Sequence, residues 1–257
     1  MPERFADRVV LVTGAAQGIG ESVAVRLASE GARVALLDLP GSPVSDVAAR
    51  IDAAGERARP YELDVTDTAA LNTCVAKVAE DWGRIDGLVN NAGINGPSAP
   101  VEEYPEDEFD RVVAVNLKAV WLGTKAVFPH LKRVGGAIVN LASTAGTAGY
   151  PGRAPYSAAK HAVIGLTKAT AVEGAPFGVR VNCVCPSGVE TPMMLDAERA
   201  AGGDAARARE AFLASKPLGR YARPEEIAAL IAFLLSPEAG YITGAPYLID
   251  GGQTARP

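Results

Sequence analysis

A chain of 257 residues with 48% hydrophobic and 21% charged content carries enough apolar material to bury one large core without disulfides or metals. Its 30 acidic against 25 basic residues leave a net charge of −5 with no basic block, which excludes the electrostatic footprint of a nucleic-acid binder and favours a small-molecule partner. Three cysteines, Cys74, Cys183 and Cys185, are an odd and sparse set that reads as free thiols in a reducing compartment, and with only His130 and His161 beside them no metal site is expected.

The opening segment, MPERFADRVVLVTG, has one short apolar run from Val9 to Val12 and lacks the long apolar region of a signal peptide. The longest helix-like apolar stretch, Ile227 to Leu235, is about half what a membrane span needs. The expectation is a cytoplasmic protein with no membrane partner. Strands are expected at Arg8–Val12, Arg33–Asp38, Ala58–Leu63, Ile85–Asn90, Gly136–Leu141, Val179–Val184 and Tyr247–Asp250, each followed by turn or capping residues. Helix-period segments lie between them. Ser42 is placed to cap one, with Pro43 in its first turn, and Asp67 to cap another that ends near Trp82.

This alternation predicts an α/β fold, a Rossmann-like doubly wound sheet of seven parallel strands with helices on both faces. One domain is expected over 1–257. Thr191–Lys216, a polar, Ala- and Arg-rich excursion, is too long for an ordinary connection and reads as a substrate lid over 191–216. Cys183 and Cys185 stand two apart in the sixth strand, so both face one side and pack there.

After the first strand, TGAAQGIG (Thr13–Gly20) opens directly into a helix, so that glycines let the backbone approach a pyrophosphate at the positive helix N-terminus. Gly14, Gly18 and Gly20 make a G-x-x-x-G-x-G spacing, which departs from the commoner G-x-G-x-x-G fingerprint. Asp38 ends the second strand about twenty residues on, where a carboxylate accepts from ribose hydroxyls and repels a 2′-phosphate. Gln17 and Leu39 stand where a cation would neutralise that phosphate, and neither is charged, so NAD is favoured over NADP. Asp64-Val65 and Asn90-Asn91-Ala92-Gly93 end the third and fourth strands at the same carboxyl edge, where open α/β sheets bind ligands. Asn and Asp also favour turns, so four consecutive strand ends carry more weight than any one.

Tyr156 and Lys160, in YSAAK, are four apart in a segment reading as helix through Glu173, which puts both on one face. Ser143 follows the fifth strand at the carboxyl edge, and reads equally as a helix cap or turn hydroxyl. Asn116 is polar within the apolar helical run VVAVNLKAVWLG, where it needs a partner or a role; a hydrogen bond that bends the helix is the plain alternative.

In their order and spacing, TGAAQGIG, Asp64-Val65, NNAG at Asn90–Gly93, Asn116, Ser143, YSAAK and NCVCPSGVET at Asn182–Thr191 resemble the short-chain dehydrogenase/reductase family, in its single-domain form, over essentially the whole chain. The resemblance implies an NAD-dependent oxidoreductase that moves a hydride between a nicotinamide ring and a secondary alcohol or ketone. It implies Tyr156 as general acid/base, Lys160 lowering the tyrosine pKa and holding the nicotinamide ribose, Ser143 orienting the substrate oxygen, and Asn116 keeping a water-mediated proton relay. A free tyrosine titrates near 10, so a neighbouring ammonium and a positive nicotinamide would bring it nearer neutral pH. The implied cofactor contacts are Gly14, Gln17, Gly18, Ile19, Gly20, Asp38, Asp64, Val65, Asn91, Ala92, Gly93, Tyr156, Lys160, Pro186, Gly188, Val189 and Thr191. Similar proteins usually have Pro-Gly where this chain has Pro186-Ser187, with glycine only at Gly188; Ser187 either forms an extra polar contact near the nicotinamide or substrate or simply occupies a backbone conformation that does not require glycine, and it is given no catalytic role.

The expected substrate wall is Ile94, Ala145, Tyr150, Met193, Met194, Leu195 and Phe212, mostly apolar and with no arginine evidently placed to clamp a carboxylate, which points to a neutral, moderately hydrophobic alcohol or ketone. The alternatives are a 3-oxoacyl-(acyl-carrier-protein) reductase, for which Lys132 and Arg133 could form a docking patch, and a non-catalytic dinucleotide sensor, against which the intact set of four residues argues. Relatives are usually tetramers, so a homotetramer is expected.

Overall fold

The computed structural model describes residues 3–52, 57–200 and 205–255. Strands and helices alternate as β1 (Val9–Thr13), α1 (Gly18–Ser29), β2 (Arg33–Asp38), α2 (Val44–Ile51), β3 (Ala58–Glu62), α3 (Thr68–Trp82) and β4 (Gly87–Asn90), then α4 (Glu106–Val113), α5 (Ala119–Val134), β5 (Ala137–Leu141), α6 (Ala154–Gly174), β6 (Arg180–Pro186), α7 (Pro192–Ala200), α8 (Ala205–Ala214), α9 (Pro224–Leu235) and β7 (Pro246–Ile249). The strands form one sheet in the order β3-β2-β1-β4-β5-β6-β7, every neighbouring pair parallel. This is the doubly wound, Rossmann-like arrangement, and its order reverses between β1 and β4. The seven strands expected from sequence are these seven. β6 runs on through Pro186 because Cys183–Pro186 pair with Pro246–Ile249 of β7, a partner that periodicity alone does not reveal.

The pleat decides which residues face which layer. Val10 and Val12 of β1 and Val34 and Leu36 of β2 pack with α1, α2 and α9, whereas Val9, Leu11, Ala35 and Leu37 pack on the other face with α3 and α5. Cys183 and Cys185 both lie fully buried on one side of β6 among Val120, Ala142 and Val163, as their spacing predicted. Between the strands a buried polar chain crosses the sheet: Asn90 donates to Asn140 at 2.8 Å, and Asn140 donates to the Thr167 hydroxyl of α6 at 2.9 Å. Each polar group in that chain has its partner, which is what makes burying it tolerable.

Two sequence expectations change. Ser42 does not cap α2: Pro43 takes the capping position, the helix starts at Val44, and the buried Ser42 hydroxyl has no hydrogen-bond partner. The turn after β2, in which Ser42 N–H donates to Leu39 C=O at 3.1 Å, sets the backbone there before the helix begins. Asp67 does cap α3, accepting from Ala69 and Ala70 N–H at 2.8 and 3.0 Å. The second change concerns apolar length. The continuous helix Glu106–Val134, 29 residues, is long and apolar enough to cross a membrane by length and composition. It exceeds the Ile227–Leu235 stretch expected to be the longest, because Asn116, Lys118 and Lys125 interrupt its apolar run in the sequence. In the fold its Leu122, Val127 and Leu131 are buried in the layer against the sheet.

Candidate functional site

The reversal of strand order between β1 and β4 leaves a crevice at the carboxyl edge of the sheet, because the connections from these strands leave on opposite sides. The glycine-rich loop fills its start. Gly18 opens α1 with φ +59, a left-handed value that disfavours side chains. Gly20 is needed for a different reason: a Cβ there would sit 2.0 Å from the Gly14 carbonyl oxygen, so the loop could not fold back on the helix. Thr13 and Asn91 lock this turn to β4. The Thr13 hydroxyl accepts from the N–H groups of Asn91 and Ala92 at 2.9 and 3.0 Å, and the Asn91 amide donates to the Thr13 and Gly14 carbonyls, both at 2.9 Å. Asp38 joins from β2, one oxygen accepting from Ala16 N–H at 2.8 Å and the other from Leu39 N–H at 2.8 Å. Its carboxylate thus stiffens the loop and keeps lone pairs directed toward the cleft edge.

A cleft of about 1180 Å³ runs from this loop across the sheet edge, large enough for a dinucleotide together with a small substrate. Along it stand Gly14, Gln17, Gly18, Ile19, Asp38, Asp64, Val65, Asn91, Ala92 and Gly93 at one end, and Tyr156, Lys160, Pro186, Gly188, Val189 and Thr191 further on. Gly20 is behind the wall, a packing glycine rather than a contact, since its space is taken by the loop's own backbone. Ile94, Ala145, Tyr150, Met193, Met194 and Phe212 line the other end. Leu195 does not. It is 45% exposed and faces away from the cleft, because α7 turns successive residues to different sides. Of the expected lid, residues 201–204 lie outside the described residues. The rest forms α7 and α8, with the Met193 carbonyl accepting from the Asn95 amide at 3.1 Å across the cleft mouth.

At the cleft floor α6 carries Tyr156 and Lys160 one turn apart, with the Lys160 Nζ 5.6 Å from the tyrosine ring centre. Lys160 is 4% exposed and donates to the Leu141 carbonyl at 2.7 Å, at the end of β5. Burial lowers its pKa to about 8. Ser143 caps a short 3₁₀ turn, its oxygen accepting from Ala145 N–H at 3.1 Å, so the plain reading of this hydroxyl also applies. Burial pushes the Tyr156 phenol above its ordinary pKa, while a hydrogen bond with Ser143 and the positive charge of Arg153 act the other way. The expected lowering by Lys160 is therefore not a property of the chain alone. The ammonium is itself desolvated and directed at a carbonyl, and desolvation of the phenol outweighs what its neighbours contribute.

Asn116 is fully buried behind this floor and does not line the cleft. It sits in a π-helical turn, Ala114–Lys118, that widens the helix between α4 and α5. Both its side-chain groups pair with the backbone of Ile94.

Arg153 and Gln253 are cleft residues that the sequence motifs do not single out. Arg153, which was not foreseen as a cleft cation, lines the wall just before α6 and donates to the Asn95 and Gly96 carbonyls at 3.3 and 2.8 Å. Its position three residues before Tyr156 was the available signal. Thr13 lies behind the cleft wall, where it holds the turn at Asn91 and Ala92. Ser187 and Gln253 come from segments 66 residues apart and meet in the cleft wall. Ser187 has no left-handed backbone, so glycine is not required there, whereas a Cβ at Gly188 would fall 2.7 Å from the Tyr221 ring. Among the described residues no group of three or more His, Cys, Asp or Glu side chains is arranged to hold a metal ion.

Residues 14–254 match a family model described as Enoyl-(Acyl carrier protein) reductase. The chain is 41% identical to levodione reductase of Leifsonia aquatica, over 98% of this chain and 96% of that one, and 42% identical to meso-2,3-butanediol dehydrogenase of Serratia marcescens, over 98% and 96%. It is also 41% identical to the 3-oxoacyl-(acyl-carrier-protein) reductase FabG of Thermotoga maritima, over 97% and 98%. The crystal structure of levodione reductase superposes with a TM-score of 0.95 at 40% identity, covering 98% of this chain and 100% of that one.

Proposed function

Because the chain belongs to the short-chain dehydrogenase/reductase family, we propose that it is an NAD(H)-dependent oxidoreductase interconverting a secondary alcohol and its ketone, with Tyr156 as general acid/base. The observation that carries this reading is the meeting of Tyr156, Lys160 and Ser143 on the floor of one cleft with the glycine-rich loop at its other end. The residues fit a dinucleotide: a helix N-terminus with no Cβ at Gly18 would face the pyrophosphate, and Asp38 would take the ribose hydroxyls. NAD, when bound, supplies the hydride acceptor. Asp38 beside the uncharged Gln17 and Leu39 favours it over NADP.

In the oxidative direction the Tyr156 phenolate takes the hydroxyl proton, and Ser143 donates to the substrate oxygen and orients it. Arg153 and Lys160 raise the share of phenolate, Arg153 through its charge in the chain itself and Lys160 through its place beside the ribose. Asn116 positions Ile94 and the loop after β4, and a water beside it would carry the proton outward. Ile94, Ala145, Met193, Met194 and Phe212 give the substrate end an apolar wall, suited to the small alcohols and ketones named for the relatives. The segment 191–216 acts as a lid within one domain spanning 1–257.

A second reading, reduction of a 3-oxoacyl group on an acidic carrier protein, is favoured by the likeness to FabG and by Lys132, which stands 4.2 Å over the exposed Phe177 ring beside Arg133. Asp38 speaks against it. We place the protein in the cytoplasm, as three buried free cysteines suit a reducing compartment. Exposed Trp121 on α5 and the fully exposed Tyr241 before β7 favour a homotetramer, which light scattering at micromolar concentration checks.

The test is absorbance of reduced cofactor with NAD or NADP against secondary alcohols, ketones and a 3-oxoacyl thioester. Turnover with NAD on alcohols, lost in Tyr156→Phe with cofactor binding retained, supports the first reading. NADPH preference with the thioester selects the second, and binding without turnover on any carbonyl selects a dinucleotide sensor.

A further inference from the structure

Beside the apolar side chains of Ile94, Ala145, Met193, Met194 and Phe212, one line of hydrogen bonds crosses the substrate end of the cleft. The Ser187 hydroxyl, directly after β6, donates to the Gln253 side-chain oxygen. The Gln253 amide nitrogen donates to the Tyr150 hydroxyl at 2.7 Å, and that hydroxyl pairs with the Thr144 hydroxyl at 3.0 Å. All four residues line the cleft, and Thr144 adjoins Ser143. Tyr150 is also close enough to Tyr156 to influence its titration, which sets this line beside the reacting centre rather than at the rim.

Gln253 is held there by more than Ser187. The Asp250 carboxylate caps the terminal turn, accepting from Gly252 N–H at 2.9 Å and from Thr254 N–H at 2.8 Å, and Ser187 N–H donates to Ile249 C=O at 3.3 Å. A carboxamide offers two N–H groups and two lone pairs. Ser187 and Tyr150 use one of each, leaving one donor and one acceptor of the amide beyond those two bonds. Polar groups so fixed in an apolar pocket orient a ligand and select for it.

We propose that Gln253 is a specificity-determining residue: its carboxamide, fixed by Ser187 and Tyr150, receives a second oxygen of the substrate, selecting alcohols and ketones that carry another hydroxyl or carbonyl group a few bonds from the reacting carbon. The proposal rests on the oxidoreductase reading of the site. The donor and acceptor left on the amide suit either a hydroxyl or a carbonyl. They do not suit a plain hydrocarbon, which would leave both unpaired at a cost in affinity.

The test compares cyclohexanol with cyclohexane-1,2-diol and cyclohexane-1,4-diol, with NAD as cofactor. The wild-type protein is expected to show kcat/KM at least about tenfold higher for one of the diols than for cyclohexanol. Gln253→Leu, similar in size but without the amide, is expected to remove about tenfold from that diol and leave cyclohexanol within about threefold. Ser187→Ala, which frees the amide without touching it, should raise KM for the diol with kcat nearly unchanged. Equal losses on all three substrates would mean a structural role and overturn the proposal, as would a wild type that prefers cyclohexanol. If no substrate in any panel turns over, the oxidoreductase reading falls by itself. Calorimetry of the diols with Tyr156→Phe, with and without Gln253→Leu, then decides the amide's role: about tenfold weaker binding on its loss supports the proposal, and unchanged binding rejects it.

Discussion

The side chain of Asn116 makes both its hydrogen bonds to the backbone of one residue, accepting from Ile94 N–H at 2.9 Å and donating to Ile94 C=O at 2.8 Å. Ile94 follows β4 in a stretch with no strand beside it, so Asn116 supplies the pairing that a sheet would otherwise give. The π-helical turn displaces the helix locally at this residue, and Gly93 leaves room for it, since a Cβ there would fall 2.8 Å from the Asn116 oxygen.

Asn116→Ala should therefore remove the partner of the part-buried Ile94 N–H and carbonyl together, lowering stability by roughly 1 kcal/mol. Urea unfolding is expected to show a lower midpoint at unchanged slope. Turnover should fall further than cofactor affinity, because Ile94 is on the substrate side of the cleft. Equal stability and activity in the variant would show that water replaces the amide.

Arg153 lowers the Tyr156 pKa by its charge, against the burial that raises it. Removing the cation raises that pKa further, so the acid limb of kcat/KM for alcohol oxidation should move to higher pH in Arg153→Gln. Arg153→Lys keeps the charge while loosening the pairing with Asn95 and Gly96, and its limb should stay nearer the wild-type position. An unmoved limb in both variants would leave Arg153 with the loop as its only role.

Lys160 is buried, which lowers its pKa to about 8 from an ordinary value of 10.5. Between these values the unfolded chain holds more protons than the folded one, so this group's contribution to stability rises with pH across that window. Below about 8 its cost is full; above 10.5 it is gone. Lys160→Met lacks this term, so the stability of the variant relative to wild type should decline from pH 7.5 to pH 10, as read by urea unfolding at each pH.

Asp38 holds Ala16 N–H with one oxygen, a role an amide oxygen can take over. The double change Asp38→Asn with Leu39→Arg should preserve the loop, remove the repulsion of a 2′-phosphate and add a cation for it. The NADP to NAD ratio of kcat/KM is expected to rise on the order of a hundredfold. A ratio that stays put would place cofactor choice elsewhere in the cleft.

The strand pattern, the Asp67 cap, the common face of Cys183 and Cys185 and the pairing of Tyr156 with Lys160 were open to inspection in the sequence because each depends on a short period. Ser42 was not, since the preceding turn, rather than the helix, sets its backbone. Nor was the sharing of tasks among glycines, in which Gly18 lines the cleft and Gly20 makes room for the Gly14 carbonyl behind it.

What the sequence by itself determined is the alternation of strands and helices, the motifs at the strand ends and the family they signal, all encoded within a few residues of one another. Only the tertiary structure decided that Asn116 serves Ile94, that Arg153 reaches the field of Tyr156, and that Ser187, Gln253 and Tyr150 join in one wall. Those meetings depend on the order of strands in the sheet, which brings distant segments to a common carboxyl edge, and burial there sets the pKa of Tyr156 and Lys160 in a way that residue type cannot express.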